Sequence, residues 1–283
     1  LTIQQSMNIE SVVSILKEMP GMTWTPGVPE RLKGLTHEQF KGMLMNVPKI
    51  PMTVDKVKYV GAAPASVDWA TQNAACVNHI RDQGQCGSCW AFSAVAEFGD
   101  RRCINKKDAT RVIYSEQYVV SCDKIDSGCN GGYINMVWRF LDQTGTTTDQ
   151  CVPYTSGQFG IQGVCPTKCK DGSAIKLTKS VSAADVCNGE QSIMNAIAEG
   201  PVTTGFTVYA DFQAYTGGVY QHKWGQMEGG HAVEFVGYGV DNGTKFWKVK
   251  NSWGGSWGEQ GYFRILRGVD ECGIEQQCMA AQV

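Results

Sequence analysis

Cysteine is absent from the chain before Cys76, although the 283-residue sequence carries twelve, all between Cys76 and Cys278. No run of about 18 apolar residues is present, so the sequence offers no membrane-spanning helix. Excess charge is missing too. The formal net charge is −2, with 25 Lys and Arg against 27 Asp and Glu, which argues against a nucleic-acid or polybasic membrane binder. The start, Leu1-Thr2-Ile3-Gln4-Gln5, has no basic stretch, and any signal peptide is expected to have been removed or to lie outside this chain. Histidine is scarce, with four in all, and no internal repeat or low-complexity tract is visible.

What is present is cysteine in a quantity that implies an oxidising compartment: secreted, vesicular or lysosome-like. At about 150 residues per unit, the length suggests two packing units, and 33 glycines with eight tryptophans fit a turn-rich globular enzyme. A boundary falls near residue 62, in Val60-Gly61-Ala62-Ala63-Pro64. Residues 1–63 hold seven Lys and Arg against five Asp and Glu (+2), leaving 18 against 22 (−4) for the rest. A small basic piece on a larger acidic body suggests an electrostatically held lid that loosens when carboxylates are protonated. A two-charge offset is also compatible with no role at all.

Apolar residues at 9, 12, 13 and 16 predict a helix over 8–18, stopped by Pro20-Gly21, and Thr36 is a candidate N-cap for a second short helix. From Pro48 to Pro64 the chain reads as an extended, accessible cleavage linker. A long buried helix is expected from Cys89 toward Arg101-Arg102, with two more over Ser115–Val120 and Asn135–Leu141. Beyond about residue 200, β-branched and aromatic segments (203–208, 233–238, 246–250, 262–266) predict strands, with Asp241-Asn242-Gly243 as a hairpin turn.

A nucleophilic thiol needs a lowered pKa, a base and donors for the developing oxyanion. Cys89 sits where glycine-rich chain turns into a helix, so the helix dipole favours its thiolate. His231, in Gly229-Gly230-His231-Ala232, enters a strand from a glycine turn, where an imidazole projects into a cleft. The Asn251 amide is placed to fix that ring, Trp253 to shield the bond from water, and Gln83 to aim an N–H at the same oxyanion as the Cys89 N–H. Each residue alone is more often structural. Cys86-x-x-Cys89 with Cys165-x3-Cys169 also has partial zinc-site spacing, and Cys-x-x-Cys alone can be a redox pair. The flanking glycines and tryptophan fit the first poorly, and the βαβ context needed by the second is not evident.

Gln83-Gly84-Gln85-Cys86-Gly87-Ser88-Cys89-Trp90-Ala91-Phe92 resembles the active-site segment of papain-like cysteine peptidases, with His231 and then Asn251 following Cys89 in that family's order and at close to its separation. Cys129-Asn130-Gly131-Gly132-Tyr133, Gly229-Gly230-His231-Ala232 and Asn251-Ser252-Trp253-Gly254 followed by Trp257-Gly258 extend the likeness over residues 64–283. Cys76, Cys103, the pair Cys165/Cys169 and Asp270-Glu271-Cys272-Gly273-Ile274-Glu275 resemble the cathepsin B branch, and Thr23-Trp24 resembles its compact propeptide. The resemblance implies an α+β, papain-like two-domain fold. A mainly helical left domain (about 76–185) would carry Cys89, and a β-rich, barrel-like right domain (about 186–283) would carry His231 and Asn251. Residues 1–62 would be an inhibitory propeptide running through the cleft in reverse, with Leu44-Met45-Asn46 nearest Cys89, and 63–283 the mature peptidase.

It further implies disulfides Cys76–Cys103, Cys86–Cys129, Cys122–Cys165, Cys151–Cys169 and Cys187–Cys278, with Cys272 a buried thiol. Catalysis would run through a Cys89 thiolate paired with a His231 imidazolium, oriented by Asn251 and assisted by Gln83, with no metal or cofactor. Gly131 and Gly132 would present backbone to substrate because a side chain there blocks close approach. Tyr133, Ile134, Gly205 and Ala232 would wall the pocket for the side chain two residues before the cut. Two departures from the branch stand out. Only seventeen residues, none of them histidine, separate Cys151 from Cys169, so the loop that clamps a substrate's C-terminal carboxylate is missing. Gln277 stands where the branch has the glutamate that accepts arginine. Both favour an endopeptidase with an apolar pocket over a peptidyl-dipeptidase. Expected partners are protein or peptide substrates, the chain's own propeptide and cystatin-like inhibitors, for a monomer that binds no nucleic acid. Expected locations are lysosome-like or endocytic and secretory vesicles, or outside the cell. Asn242-Gly243-Thr244 is a possible glycosylation site. A catalytically dead paralogue and a ligase side reaction are the remaining alternatives.

Overall fold

The structure, a computed structural model, describes residues 7–45 and 56–283. Residues 48–55 of the expected linker and Asn46 lie outside the described residues. Helix α1 (Ile9–Lys17) buries Ile9, Val12, Val13 and Leu16 on one face, and the Asn8 side chain caps it by accepting from Ser11 N. Strand β1 (Trp24–Pro26) follows, then α2 (His37–Lys41), whose Thr36 and Gln39 form a reciprocal capping box. Residues 56–64 are mostly exposed. They lie along the body through Tyr59 N to Ser192 Oγ (3.0 Å) and Asn195 Nδ2 to Tyr59 O (2.9 Å).

Strand β2 (Val67–Asp68) and the single-turn helices α3 (Trp69–Gln72) and α4 (Ala74–Val77) lead to α5 (Cys89–Ile104). Helices α6 (Glu116–Cys122) and α7 (Ile134–Gln143) pack against α5, with Trp90, Val95, Phe98, Val137, Trp138 and Leu141 in the shared core. Unusually for a helix, α5 is buried on almost every side and includes Glu97, Asp100 and Arg101. Those charges are paired: Glu97 with Arg101 at 3.1 Å, and Asp100 with Arg111 at 2.8 Å and with Lys250.

The remaining elements are β3 (Ser182–Asp185), α8 (Glu190–Glu199), β4 (Val202–Tyr209), β5 (Tyr215–Tyr220), β6 (Met227–Asp241), β7 (Thr244–Lys250), β8 (Tyr262–Leu266) and β9 (Cys278–Gln282). The sheet order is β1-β5-β8-β7-β6-β4-β9-β3, with β2 on β6, and every pair except β5–β8 is antiparallel. The path is open, so the sheet is not closed as the barrel that the resemblance implied. Its ends are β1, three residues long and ended by Pro26, and β3, four residues long, both too short to wrap onto each other. The β6–β7 turn places Asn242 at φ 47° and Gly243 at φ 80°, the backbone a tight hairpin requires. Asn242 is exposed there.

Disulfides join Cys76–Cys103, Cys86–Cys129, Cys122–Cys165, Cys151–Cys169 and Cys187–Cys278. Cys89 and Cys272 are free. Cys272 is half-buried, less enclosed than the buried thiol expected there. Because Cys86 bonds Cys129, neither a Cys86–Cys89 redox pair nor a zinc site on these cysteines is available.

The N-terminal segment shares the core of the β-rich half. Ile9, Val12, Leu16, Trp24 and Phe40 join Phe212, Tyr215, Trp253 and Trp257 in one apolar cluster. Trp24 packs on Tyr215 and Tyr220 (ring centroids 6.1 and 5.3 Å), and its Nε1 donates to Gln221 O at 2.9 Å. Truncating so large a buried side chain costs about 3–5 kcal/mol. Trp24→Ala is therefore expected to release this segment. Amide exchange of Gly27 and Met45, which donate to Ala214 O and Gly230 O, should accelerate at least tenfold while α5 stays protected. Unchanged exchange at both amides contradicts this.

Candidate active site

Glycines thread the chain tightly into the start of α5. A Cβ on Gly84 (φ +61°) would lie 2.5 Å from Gly157 O, and one on Gly87 would lie 2.5 Å from Cys129 O. That approach delivers Cys89 to the first residue of α5, fully buried. His231 comes from β6, where it pairs with Phe206 of β4, and Asn251 follows the last residue of β7. The Ala232 N–H donates to Cys89 Sγ at 3.4 Å, so β6 lies directly against the start of α5.

His231 Nε2 and Asn251 Oδ1 are 2.7 Å apart. Because Oδ1 is an acceptor, Nε2 carries the hydrogen and Nδ1 keeps a lone pair, with no hydrogen-bond partner among the described residues. The Trp253 ring stacks on the imidazole at 4.7 Å, and Trp253, His231 and Asn251 are all buried. Gln83 is fully buried and its Nε2 donates to Met43 O and Cys86 O, each at 2.8 Å. Ser252 Oγ donates to Gln83 Oε1 at 2.7 Å, which fixes the amide so that its N–H faces the cleft, and Tyr154 Oη donates to Gln83 O at 2.8 Å. Neither Ser252 nor Tyr154 was singled out from sequence, although Ser252 stands inside the Asn-Ser-Trp segment already noted.

The cleft is filled by the chain itself. Met43 and Leu44 are buried, and Met45 bridges Gly230 through N–H to O bonds of 2.8 and 3.2 Å. Met45 packs on the apolar cluster that contains Cys89, Ile134, Ala232 and Met279. Of the other candidate contact residues, Gly205 pairs with Ala232, and Tyr133 N donates to Asp126 Oδ1 at 2.8 Å. Gln277 is half-buried before β9, with its carbonyl accepting from Thr204 Oγ1 at 3.2 Å. Gly131 adopts φ 120°. Packing also bears on glycine at 132. A Cβ there would lie 2.6 Å from the Trp90 ring and 2.8 Å from the Asp126 carboxyl, so packing beneath the cleft demands glycine.

Burial acts against the charged forms of both groups. Desolvation pushes the Cys89 thiol up to about 12, against the amides of Ala232, Trp90 and Cys89, which favour thiolate. Desolvation also lowers His231 to about 4, against the hydrogen bond to Asn251, which favours the imidazolium. With the N-terminal segment in place, both shifts disfavour the charged forms of the pair. Iodoacetamide should accordingly label Cys89 of the intact chain at least a hundredfold more slowly than a free cysteine peptide, as read by mass mapping. Labelling at the peptide rate contradicts the buried, neutral thiol.

The papain family cysteine protease model (Peptidase_C1) matches residues 63–282. The cathepsin B-like protein CP3 of Giardia intestinalis is 52% identical over 261 residues, covering 90% of this chain and 87% of that one. Cathepsin B-like cysteine proteinase 4 of Caenorhabditis elegans is 37% identical over 290 residues, covering 89% and 86%. Among solved structures, procathepsin B S9 from Trypanosoma congolense superposes with a TM-score of 0.89 at 28% identity, covering 96% of this chain and 97% of that one. The recombinant stem bromelain precursor gives 0.81 at 30% identity, covering 98% and 89%. The chain belongs to the papain family of cysteine proteases, in its cathepsin B-like branch, and its fold is that of a proenzyme.

Proposed function

We propose that this chain is a latent cysteine endopeptidase, with residues 1–62 as its propeptide and 63–283 as the mature enzyme. The observation that carries the reading is Met43 O accepting from Gln83 Nε2 beside Cys89, with Met45 bridged to Gly230. A prosegment carbonyl takes the donor intended for the oxyanion, so substrate and prosegment exclude each other.

Once that segment leaves, water reaches Cys89 and His231, and the desolvation that keeps both neutral is relieved. His231 Nδ1 then takes the Cys89 proton, and the thiolate attacks the peptide carbonyl carbon. Gln83 Nε2 and the Cys89 N–H stabilise the oxyanion, a contribution of about 3 kcal/mol per donor. The C–N bond breaks as the His231 imidazolium protonates the leaving amine, giving a thioester. Water, deprotonated by His231, hydrolyses that thioester and regenerates the thiol. Asn251 holds the ring throughout, shielded by Trp253.

Two side-chain pairs cross the prosegment contact. Arg31 pairs with Asp82 at 2.5 Å, and His37 of α2 pairs with the buried Glu228 at 3.2 Å. Desolvation raises the Glu228 carboxyl, against His37 and Lys41, whose attraction acts only while it is ionised. A carboxyl raised by burial binds its proton more tightly while α2 covers it than after release, so protonation of Glu228 does not itself loosen α2, and acid activation rests on the charge offset between the two segments.

The loop closed by Cys151–Cys169 has no histidine and exposes Phe159, Ile161 and Val164. That supports endopeptidase action with little release of C-terminal dipeptides. Met45 on the Ile134–Ala232 cluster, with Gln277 in place of a carboxylate, supports a bulky apolar residue two positions before the cut. The enzyme would act as a monomer in lysosome-like or secretory vesicles or outside the cell, open to cystatin-like inhibitors, with Asn242 available for glycosylation. No helix among the described residues is long and apolar enough to cross a membrane.

Two outcomes test this. After incubation at about pH 4–5 with reductant, a fragment near residue 62 should be lost and fluorogenic peptide amides cleaved, with Cys89→Ala silent. Silence from correctly cleaved, folded protein refutes the reading. Peptides with Leu or Phe two residues before the cut should exceed those with Arg by about tenfold in kcat/KM, and a blocked peptide should lose no C-terminal dipeptide. Arginine preference or efficient dipeptide release contradicts the open, uncharged cleft.

A further inference from the structure

We propose that Asp82 selects a basic side chain on the leaving-group side of the scissile bond, so that cleavage is favoured when arginine or lysine is one of the two residues after the cut. The proposal rests on the endopeptidase reading above and concerns the half of the cleft that Met45 does not occupy.

Arg31 and Asp82 form a two-pronged pair, Nε to Oδ2 at 2.5 Å and Nη2 to Oδ1 at 2.9 Å. This geometry is specific to guanidinium and carboxylate, and it lies one residue from Gln83. The course of the prosegment fixes which side it marks. Met43 O meets the Gln83 amide, and Met45 lies beyond it on the cluster of Ile134 and Ala232, the acyl side. Arg31 precedes both and meets Asp82, among residues that share none with that cluster. A cleft of about 350 Å³ opens there, lined by Arg31, Asp82, Tyr154, Thr155, Gly157 and Gln158. That space accommodates an extended arginine side chain.

The carboxylate is built in place independently of Arg31. Asp82 Oδ1 also accepts from Gly84 N at 2.8 Å, and the Asp82 backbone bridges Trp253. Its cationic neighbour Arg81 is already occupied, paired with Glu116 at 3.0 Å and with Asp149 at 2.6 Å. Departure of the prosegment therefore leaves a fixed, partly exposed carboxylate that has lost its only ion-pair partner among the described residues, beside the oxyanion donor. A substrate arginine restores the pair that Arg31 made. In this respect Arg31 stands in for the substrate.

The test uses full-length protein processed at acid pH with reductant, and internally quenched peptides differing only in Arg, Lys, Leu or Glu at the first or second residue after the cut. At one of these positions Arg should exceed Leu by roughly tenfold in kcat/KM, and 0.5 M salt should shrink that ratio because a partly exposed pair is screened. Asp82→Asn keeps the acceptor for Gly84 N and should bring the ratio to about one, while Asp82→Lys should turn it toward Glu. Cleavage without an arginine preference, or a preference equal in the wild type and Asp82→Asn, overturns this proposal alone. Failure to cleave any peptide overturns it together with the endopeptidase reading.

Discussion

Everything in this molecule depends on two distant stretches of chain meeting where the Ala232 N–H points at the Cys89 sulfur, 3.4 Å away. A helix start and a strand rarely meet so tightly without support, and here the support is ionic. Lys250, itself buried, donates to Val77 O at 3.0 Å and pairs with Glu234 at 2.9 Å and with Asp100. It therefore ties β7 and β6 to α5 one residue before Asn251. Breaking one partner of such a cluster leaves an uncompensated buried charge, commonly a loss of about 3–5 kcal/mol, which holds the two halves in a single arrangement.

In the proposed zymogen, latency and chemistry are two states of one desolvated site. Met45 packs on the cluster that contains Cys89 and bridges Gly230 next to His231, and burial acts against the nearby amides that favour the thiolate. The same low dielectric that strengthens hydrogen-bond donors disfavours a thiolate while the cleft is filled. The prosegment is held by apolar contact at Trp24 and by side-chain pairs at Arg31 and His37.

Local signals made part of this legible. The 9, 12, 13, 16 spacing appears as α1, Thr36 caps α2, and Asp241-Asn242-Gly243 turns β6 into β7 with both central residues at positive φ. The residues singled out for chemistry lie together: Cys89, His231, Asn251, Gln83 and Trp253 share one cleft. What escaped has no local signature. Strand β1 exists only because β5, from the other end of the sequence, offers it an edge. Helix α8 buries Ile193, Ala196 and Ile197 within a half whose pattern otherwise reads as strands. The group occupying Gln83 is a main-chain carbonyl, which any residue at 43 would supply. A helix start favours the Cys89 thiolate, and the burial that acts against it is a property of the packed structure with no local signature.

The most direct measurement is the ¹⁵N-detected titration of the His231 imidazole in the intact chain and again after acid processing. With residues 43–45 over the cleft, the ring should stay neutral down to about pH 4, hydrogen on Nε2. After their removal, it should carry the proton of Cys89 as an imidazolium in neutral solution. A His231 that titrates near 6.5 in the intact chain, or shows the same spectrum before and after processing, would contradict the claim that the prosegment enforces neutrality by excluding water.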